Sequence, residues 1–170
     1  MKFDYPVIFL DIDEVLNSRE YFHSRGGPMP PNALIAQHGM SLAYDLWDLC
    51  PRLLARLRNL VNETGAKIVI CSTWRLGRKP ADFHTLFTLR GWALAEDTII
   101  GCTPRLPGIR GDEIAAWIEA ENFDGPYVII DDGSDMLPDQ PLVQVDPRIG
   151  LSQGNCHDAK AFLVAREEQR

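Results

Sequence analysis

The chain has 170 residues, of which 45% are hydrophobic, and a formal net charge of −7. We expect one globular domain over 1–170, because this length can bury a core without disulfides or a structural metal. The acidic balance argues against a protein that coats nucleic acid or an anionic membrane. No segment comes close to the run of about 20 apolar residues that a membrane-spanning helix needs. The four cysteines, Cys50, Cys71, Cys102 and Cys156, form no CxxC pair, which indicates reduced thiols and a cytoplasmic protein.

The first half of the chain contains two predicted strands separated by a loop and a helix. Residues 7–10 (VIFL) are a continuous apolar run that predicts a strand buried on both faces. The glycines and prolines of residues 18–45 favour an irregular, lid-like loop. A helix follows from Pro51 to a predicted end at Gly65, and residues 67–71 (KIVIC) predict the second strand.

The second half continues the alternation of helices and strands. Helices are predicted over 80–89, 112–122 and about 157–167, and strands over 98–102, 127–130 and 142–145. Strands that alternate with helices imply right-handed crossovers between parallel strands. The sequence therefore predicts an α/β fold: a three-layer, Rossmann-like parallel sheet with helices on both faces.

Polar side chains follow three of the predicted strands: Asp11 and Asp13, Ser72 and Thr73, and Asp131 and Asp132. Ligands of open parallel sheets bind outside the carboxyl ends of the strands, so one shared site is the simplest explanation. Clustered carboxylates raise one another's pKa unless a cation lies among them. Carboxylate oxygens without nitrogen or sulfur ligands suit Mg²⁺, and the sequence therefore predicts a magnesium site.

The same residues carry a resemblance to a known family. The segments DIDEVLN at 11–17, CSTWR at 71–75, RGDEI at 110–114 and IIDD at 129–132 resemble the four ordered motifs of the haloacid-dehalogenase-like (HAD) hydrolases. The resemblance covers residues 7 to about 146. Within that superfamily the chain looks closest to the small-cap group related to the phosphatase domains of polynucleotide kinase and of multifunctional RNA-repair proteins. The resemblance implies a HAD-like fold with a minimal cap.

The resemblance also implies the roles of the carboxylates. Asp11 would be the nucleophile that forms an aspartyl-phosphate. Asp13 would be the general acid and base, and its backbone carbonyl would contact the metal. Mg²⁺ would be held by Asp11 together with Asp131 or Asp132, and would neutralise charge between the nucleophile and the incoming phosphate.

Three further roles come from the resemblance. The hydroxyl of Ser72 or Thr73 would bind a phosphoryl oxygen. Arg110 would stabilise the charge of the transition state, with Lys79 as a rival for that role. Glu14 stands where the family commonly has glycine, in a turn whose backbone geometry is demanding. Two readings of that departure remain open: a side chain turned to solvent, or a turn that no longer supports catalysis.

Residues 75–110 carry six basic and three acidic residues, which makes Arg75, Arg78 and Lys79 candidates for binding substrate phosphates, with a solvated face as the alternative. Trp74 is either a stacking platform for a base or a plug beneath the site.

We therefore predict a Mg²⁺-dependent phosphatase of phosphate monoesters, with nucleotide or nucleic-acid ends as candidate substrates and no membrane partner. A phosphatase of small metabolites or sugars, and an inactive phosphate- or metal-binding module, are the alternatives.

Overall fold

In the computed structural model, which describes residue 3 and residues 5–164, five strands form one parallel sheet. The strands are β1 (Val7–Leu10), β2 (Lys67–Ile70), β3 (Ile99–Cys102), β4 (Tyr127–Asp131) and β5 (Leu142–Gln144), in the order β3-β2-β1-β4-β5. The chain moves outward from β1 to β3 and then returns to pair β4 with the free side of β1. This reversal makes β1 the central strand, as its apolar sequence predicted.

The helices are α1 (Arg19–Ser24), α2 (Asn32–His38), α3 (Met40–Asp48), α4 (Pro51–Thr64), α5 (Pro80–Leu89), α6 (Arg110–Glu121) and α7 (Gln153–Val164). Successive side chains of a strand point to opposite faces. Ile8 and Leu10 of β1 pack into a core with α4, α5 and α7, whereas Val7 and Phe9 pack against α6. Helices therefore cover both faces, and the predicted three-layer α/β fold is confirmed.

The predicted helix boundaries agree with the structure within a few residues. Pro51 occupies the first turn of α4, and Gly65 ends that helix with a left-handed φ of 66°. The start of α6 lies two residues earlier than predicted, because its first turn is held by a loop after β4: the Arg110 amide donates to the Asp135 carboxylate at 3.1 Å. The start of α7 is four residues earlier than predicted, and its predicted end at 165–167 lies outside the described residues.

The prediction of an irregular segment at 18–45 is wrong, because the structure has α1, α2 and the start of α3 there. The glycines lie between these helices: Gly26, Gly27 and Gly39 have φ values of 90°, 125° and 78°. Ser18 caps α1 by accepting the Tyr21 amide at 3.2 Å. The breakers thus separate short helices rather than prevent them.

The described part of the chain has no helix that is long and apolar enough to cross a membrane. The four cysteines are unpaired, as the sequence predicted, and Cys50 and Cys71 are buried.

Candidate active site

Three carboxylates meet where the strand order reverses, at the carboxyl ends of β1 and β4. Asp11 continues β1, and Asp131 and Asp132 lie at the end of β4, its direct neighbour. Each of the three offers an oxygen within 4.8 Å of the others. The reversal point of an open parallel sheet forms the crevice in which ligands bind. The predicted convergence of these strand ends is confirmed.

Asp11 is 4% exposed and is held by two neighbours. Arg110 Nη1 donates to its Oδ1 at 2.8 Å, and the nearby Ser72 hydroxyl also lowers the pKa of the carboxylate. Burial raises the pKa of Asp11 more than these two neighbours lower it. The anionic form of Asp11 therefore lacks sufficient positive charge in the protein alone.

Asp131 and Asp132 share this excess of negative charge. Burial and the nearby Asp11 raise the pKa of Asp131 to about 7. Its Oδ1 accepts the Gly133 amide at 2.8 Å, whereas its buried Oδ2 lies 3.2 Å from Arg110 Nη1 but has no hydrogen-bond partner among the residues that the structure describes. Burial, followed by the charge of Asp11, also raises the pKa of the half-buried Asp132.

These donors fit a divalent cation. One buried carboxylate oxygen lacks a hydrogen-bond partner, and all three carboxyl groups have a raised pKa. Buried polar atoms are normally satisfied, and a cation with oxygen ligands would satisfy this one. Asp11, Asp131 and Asp132 would hold the ion. The Asp13 side chain is not part of this group among the described residues, and contact through its backbone carbonyl stays a prediction.

Arg110, rather than Lys79, is the cation that contacts Asp11, the predicted nucleophile. Its Nη1 lies 2.8 Å from Asp11 Oδ1 and 3.2 Å from Asp131 Oδ2. It can reach both because it is the first residue of α6, whose N-terminus points to the carboxyl edge of the sheet. Lys79 is exposed at the start of α5, where its amide donates to Asp82 at 2.7 Å.

Asp13 lies in a tight turn after β1 and points to a different part of the site. Its exposed carboxylate accepts hydrogen bonds from Trp74 Nε1 at 2.9 Å and from Asn17 Nδ2 at 3.0 Å. The next residue, Glu14, has a left-handed φ of 59°, which confirms that the turn is demanding. The Glu14 side chain accepts from Arg19 Nε at 2.7 Å, and this hydrogen bond lowers its pKa. Glu14 thus forms an ion pair on the protein surface.

The two hydroxyl residues after β2 differ in position. Ser72 is fully buried, lowers the pKa of the nearby Asp11, and caps the short 3₁₀ helix Thr73–Arg75. Thr73 is exposed and lines a cavity of about 440 Å³ beside Asp13. Ser72 is therefore near Asp11, the predicted nucleophile, and Thr73 lines the cavity beside Asp13, the predicted acid.

The predicted substrate-binding role of Arg75 is not supported by its position. Its side chain is 5% exposed and pairs with Glu113 at 2.6 Å. The same guanidinium donates to the carbonyls of Cys71, Ser72, Thr103 and Pro104. Because every described contact is to the protein interior, Arg75 is a structural residue.

Arg78 and Lys79 lie nearer the surface. Arg78 pairs with Asp45 of α3 at 2.6 Å, and its guanidinium carbon lies 5.4 Å from the Trp74 ring centre. The exposed Lys79 is the N-cap residue that immediately precedes α5. A contact of either residue with substrate stays a prediction.

Sequence reasoning missed the partners of Asp13. Asn17 lies within the first motif, and its spacing of four residues from Asp13 could have indicated a turn closed by its side chain. Trp74 lies 61 residues away in the chain, and no pattern in the sequence indicates its bond to Asp13.

Comparison with protein families supports the motif resemblance. Residues 7–156 match the model of a family described as the HAD domain in Swiss Army Knife RNA repair proteins. The matched range contains all four motifs and all five strands. No curated protein and no solved structure matched the chain. On this match, which covers most of its length, the chain belongs to the family of HAD domains found in Swiss Army Knife RNA repair proteins.

Proposed function

We propose that the protein is a Mg²⁺-dependent phosphatase that hydrolyses phosphate monoesters through an aspartyl-phosphate on Asp11. Membership of the HAD family supports a phosphatase in general terms. The observation that carries the finer proposal is the meeting of Asp11, Asp131 and Asp132 within 4.8 Å, beside Arg110. This arrangement combines a nucleophile, a set of metal ligands and a cation at one point.

Each residue has a distinct task in this proposal. Asp11 attacks phosphorus and forms the aspartyl-phosphate, while Asp13 gives a proton to the leaving oxygen. Asp13 then takes a proton from a water that attacks the phosphorus, which releases phosphate and restores Asp11. Arg110, 2.8 Å from Asp11, binds an oxygen of the transferring group. A bound Mg²⁺ would neutralise charge between Asp11 and the phosphate.

Nucleotides or nucleic acids with a terminal phosphate are the first candidate substrates, because the family is named for RNA repair. Sugar or metabolite phosphates are the second, and one observation favours them. The cavity beside Asp13 is also lined by Asp45 and Asp48, against one arginine, Arg78. An acidic cavity favours a hydroxyl-rich leaving group without further phosphates.

The first experiment separates an enzyme from a binding module. Hydrolysis of an aryl phosphate is measured with Mg²⁺, with chelator, and in Asp11→Asn. We expect turnover only in the wild type with Mg²⁺, and a higher melting temperature of the wild type when Mg²⁺ is added. Asp158→Asn, which changes an exposed carboxylate on α7, is the control and should keep full activity. Stabilisation by Mg²⁺ without turnover of any phosphate ester would instead identify a binding module.

The second experiment separates the two substrate classes. Rates on phosphate-ended oligonucleotides and on sugar phosphates are compared at low and high salt. Contacts with a phosphate backbone weaken steeply with salt, so a salt-sensitive preference for oligonucleotides supports a nucleic-acid substrate. Faster hydrolysis of sugar phosphates at both salt concentrations would reject it.

A further inference from the structure

The carboxylate of Asp13 has two chemically different oxygens. Its Oδ1 accepts two N–H groups, from Trp74 Nε1 at 2.9 Å and from Asn17 Nδ2 at 3.0 Å. Its Oδ2 accepts no hydrogen bond from the described residues. Both N–H groups can only donate, so a proton on Oδ1 would have to displace one of them. Among the described residues, Oδ1 of Asp13 is therefore occupied by two donors, and Oδ2 is the oxygen left to interact with a substrate or a water.

The orientation of the Asn17 amide follows from its second contact. The Glu14 backbone amide donates to Asn17 Oδ1 at 2.6 Å. Because a backbone N–H needs an acceptor, the Asn17 oxygen must face Glu14, and its NH₂ group must face Asp13. The turn after β1 thus supplies one of the two donors to Asp13 Oδ1.

The second donor comes from a different part of the fold. Trp74 is in the 3₁₀ helix Thr73–Arg75, and its amide is capped by the Ser72 hydroxyl at 3.4 Å. The guanidinium of Arg78 lies over the indole ring and pairs with Asp45 of α3 at 2.6 Å. These contacts hold the ring from both its backbone and its face, which keeps Nε1 directed at Asp13.

We propose that Trp74 is a positioning residue for Asp13. Together with Asn17, it reserves Oδ1 as an acceptor and thereby makes Oδ2 the oxygen that exchanges the proton. Neither reading of Trp74 from the sequence, a stacking platform or a plug, included this role. The inference rests on the proposed function, since it assigns one oxygen of the general acid and base.

The proton follows one path through both steps. As the bond from phosphorus to the leaving oxygen breaks, Oδ2–H of Asp13 gives its proton to that oxygen, and the alcohol leaves. In the second step, Oδ2 takes a proton from the water that attacks the phosphorus of the aspartyl-phosphate. Phosphate is released, and both Asp11 and Asp13 return to their starting forms. Oδ1 keeps its two hydrogen bonds throughout.

The kinetic test uses Trp74→Phe, which removes the indole N–H but keeps a ring beneath Arg78. An alkyl phosphate needs a proton on its leaving oxygen, whereas an aryl phosphate with an acidic phenol does not. The value of kcat/KM reports the step in which the leaving group departs. We expect kcat/KM to fall about five- to tenfold on the alkyl phosphate, the loss of one hydrogen bond, and by less than about twofold on the aryl phosphate.

Two further variants keep this test sharp. Trp47→Phe removes the other indole hydrogen bond of this kind, from Nε1 to the Gly27 carbonyl at 3.1 Å, and should leave the ratio of the two substrates unchanged. Asn17→Asp keeps an acceptor for the Glu14 amide but replaces the donor to Asp13 by a carboxylate oxygen that repels it, and should reproduce the selective loss at least as strongly. Equal losses on both substrates in Trp74→Phe, or no loss on either, would overturn the proposal.

A spectroscopic measurement tests the hydrogen bond without relying on activity. In metal-free protein, Asp13→Ala should move the indole proton resonance of Trp74 upfield, because it removes the acceptor. The other three indole resonances, from Trp47, Trp92 and Trp117, should stay in place. A Trp74 resonance that does not move refutes the positioning role even if the enzyme is active. If the resonance moves in Asp13→Ala but the wild type hydrolyses no phosphate ester, the proposed function is refuted and the hydrogen bond is still confirmed.

Discussion

Replacing Arg75 by methionine should destabilise the fold strongly, although the residue lies within a catalytic motif. Methionine keeps much of the apolar volume of the side chain but removes every donor. Two of the lost partners are the carbonyls of Cys71 and Ser72, which follow β2 near Asp11, and both bonds are 2.9 Å. Another partner, Glu113, belongs to α6. Arg75 therefore connects the end of β2 to the helix that begins with Arg110.

The expected loss follows from the burial of this ion pair. The side chains of Arg75 and Glu113 are 5% and 11% exposed, and their charged atoms are 2.6 Å apart. Removing one partner of a buried ion pair costs about 3–5 kcal/mol, because the other charge stays buried without compensation. For a protein of this size, that loss lowers the melting temperature by roughly 6–20 °C.

Urea denaturation followed by circular dichroism measures this loss. The matched control is Arg78→Met, in which the lost ion pair is with Asp45 and the two side chains are 30% and 21% exposed. Partly exposed pairs contribute about 1 kcal/mol or less, so the control should unfold close to the wild type. The double variant Arg75→Met with Glu113→Gln should recover part of the loss, because it removes the uncompensated charge.

The reasoning would be refuted if Arg75→Met were as stable as Arg78→Met. If such a stable variant also had a KM raised about tenfold for its substrate, equal to 1.4 kcal/mol of binding, Arg75 would be a substrate-binding residue after all. The original expectation from the sequence would then be right.

Three further predictions concern the turn, the acidic cluster and the start of α6. Glu14→Gly should be more stable than Glu14→Ala by about 1 kcal/mol, because glycine adopts the φ of 59° with less strain; equal denaturation midpoints would contradict this. In chelator, the pKa of about 7 for Asp131 lies above its unfolded value, so this group makes the wild type less stable as pH rises from about 4 to 7. Across that range, the free energy of unfolding of Asp131→Asn should rise relative to that of the wild type by up to about 4 kcal/mol. A difference that stays constant with pH would refute the raised pKa. Gly111→Ala should lower kcat at least about tenfold, since one added carbon would lie 2.5 Å from the Leu137 amide nitrogen and displace α6 with Arg110. Wild-type activity would show that α6 accommodates the added carbon without moving Arg110.

The order of strands and helices could be predicted because it depends on local patterns. Continuous apolar runs indicated the strands at 7–10, 67–71 and 127–130, and the alternation with helices required parallel pairing. The same reasoning is wrong at 18–45, where the glycines and prolines predict no regular structure and the chain nevertheless forms short helices. The short helices there are stabilised by tertiary packing, such as the burial of Ala43 and Leu46 of α3. Local composition does not predict such packing.

The sequence alone determined which chemistry the site can contain. The acidic residues that follow β1 and β4 had to meet, because parallel neighbours end at the same edge of the sheet. That rule brought Asp11, Asp131 and Asp132 together regardless of details of packing. The family motifs named the same residues, so the pattern and the resemblance agreed.

Only the tertiary structure decided which of the nearby cations and aromatic residues contact the acidic residues of the site. From the sequence, Lys79 remained a rival of Arg110 for contact with Asp11, and Arg75 and Arg78 were equally good candidates for contact with substrate. Their long side chains reach different partners, and the packing of α6 against the sheet directs Arg110 to Asp11 and buries Arg75 beside Glu113. The bond from Trp74 to Asp13 likewise joins residues 61 positions apart. Side-chain direction over such separations is set by how the helices pack on the sheet, and a local sequence pattern does not contain it.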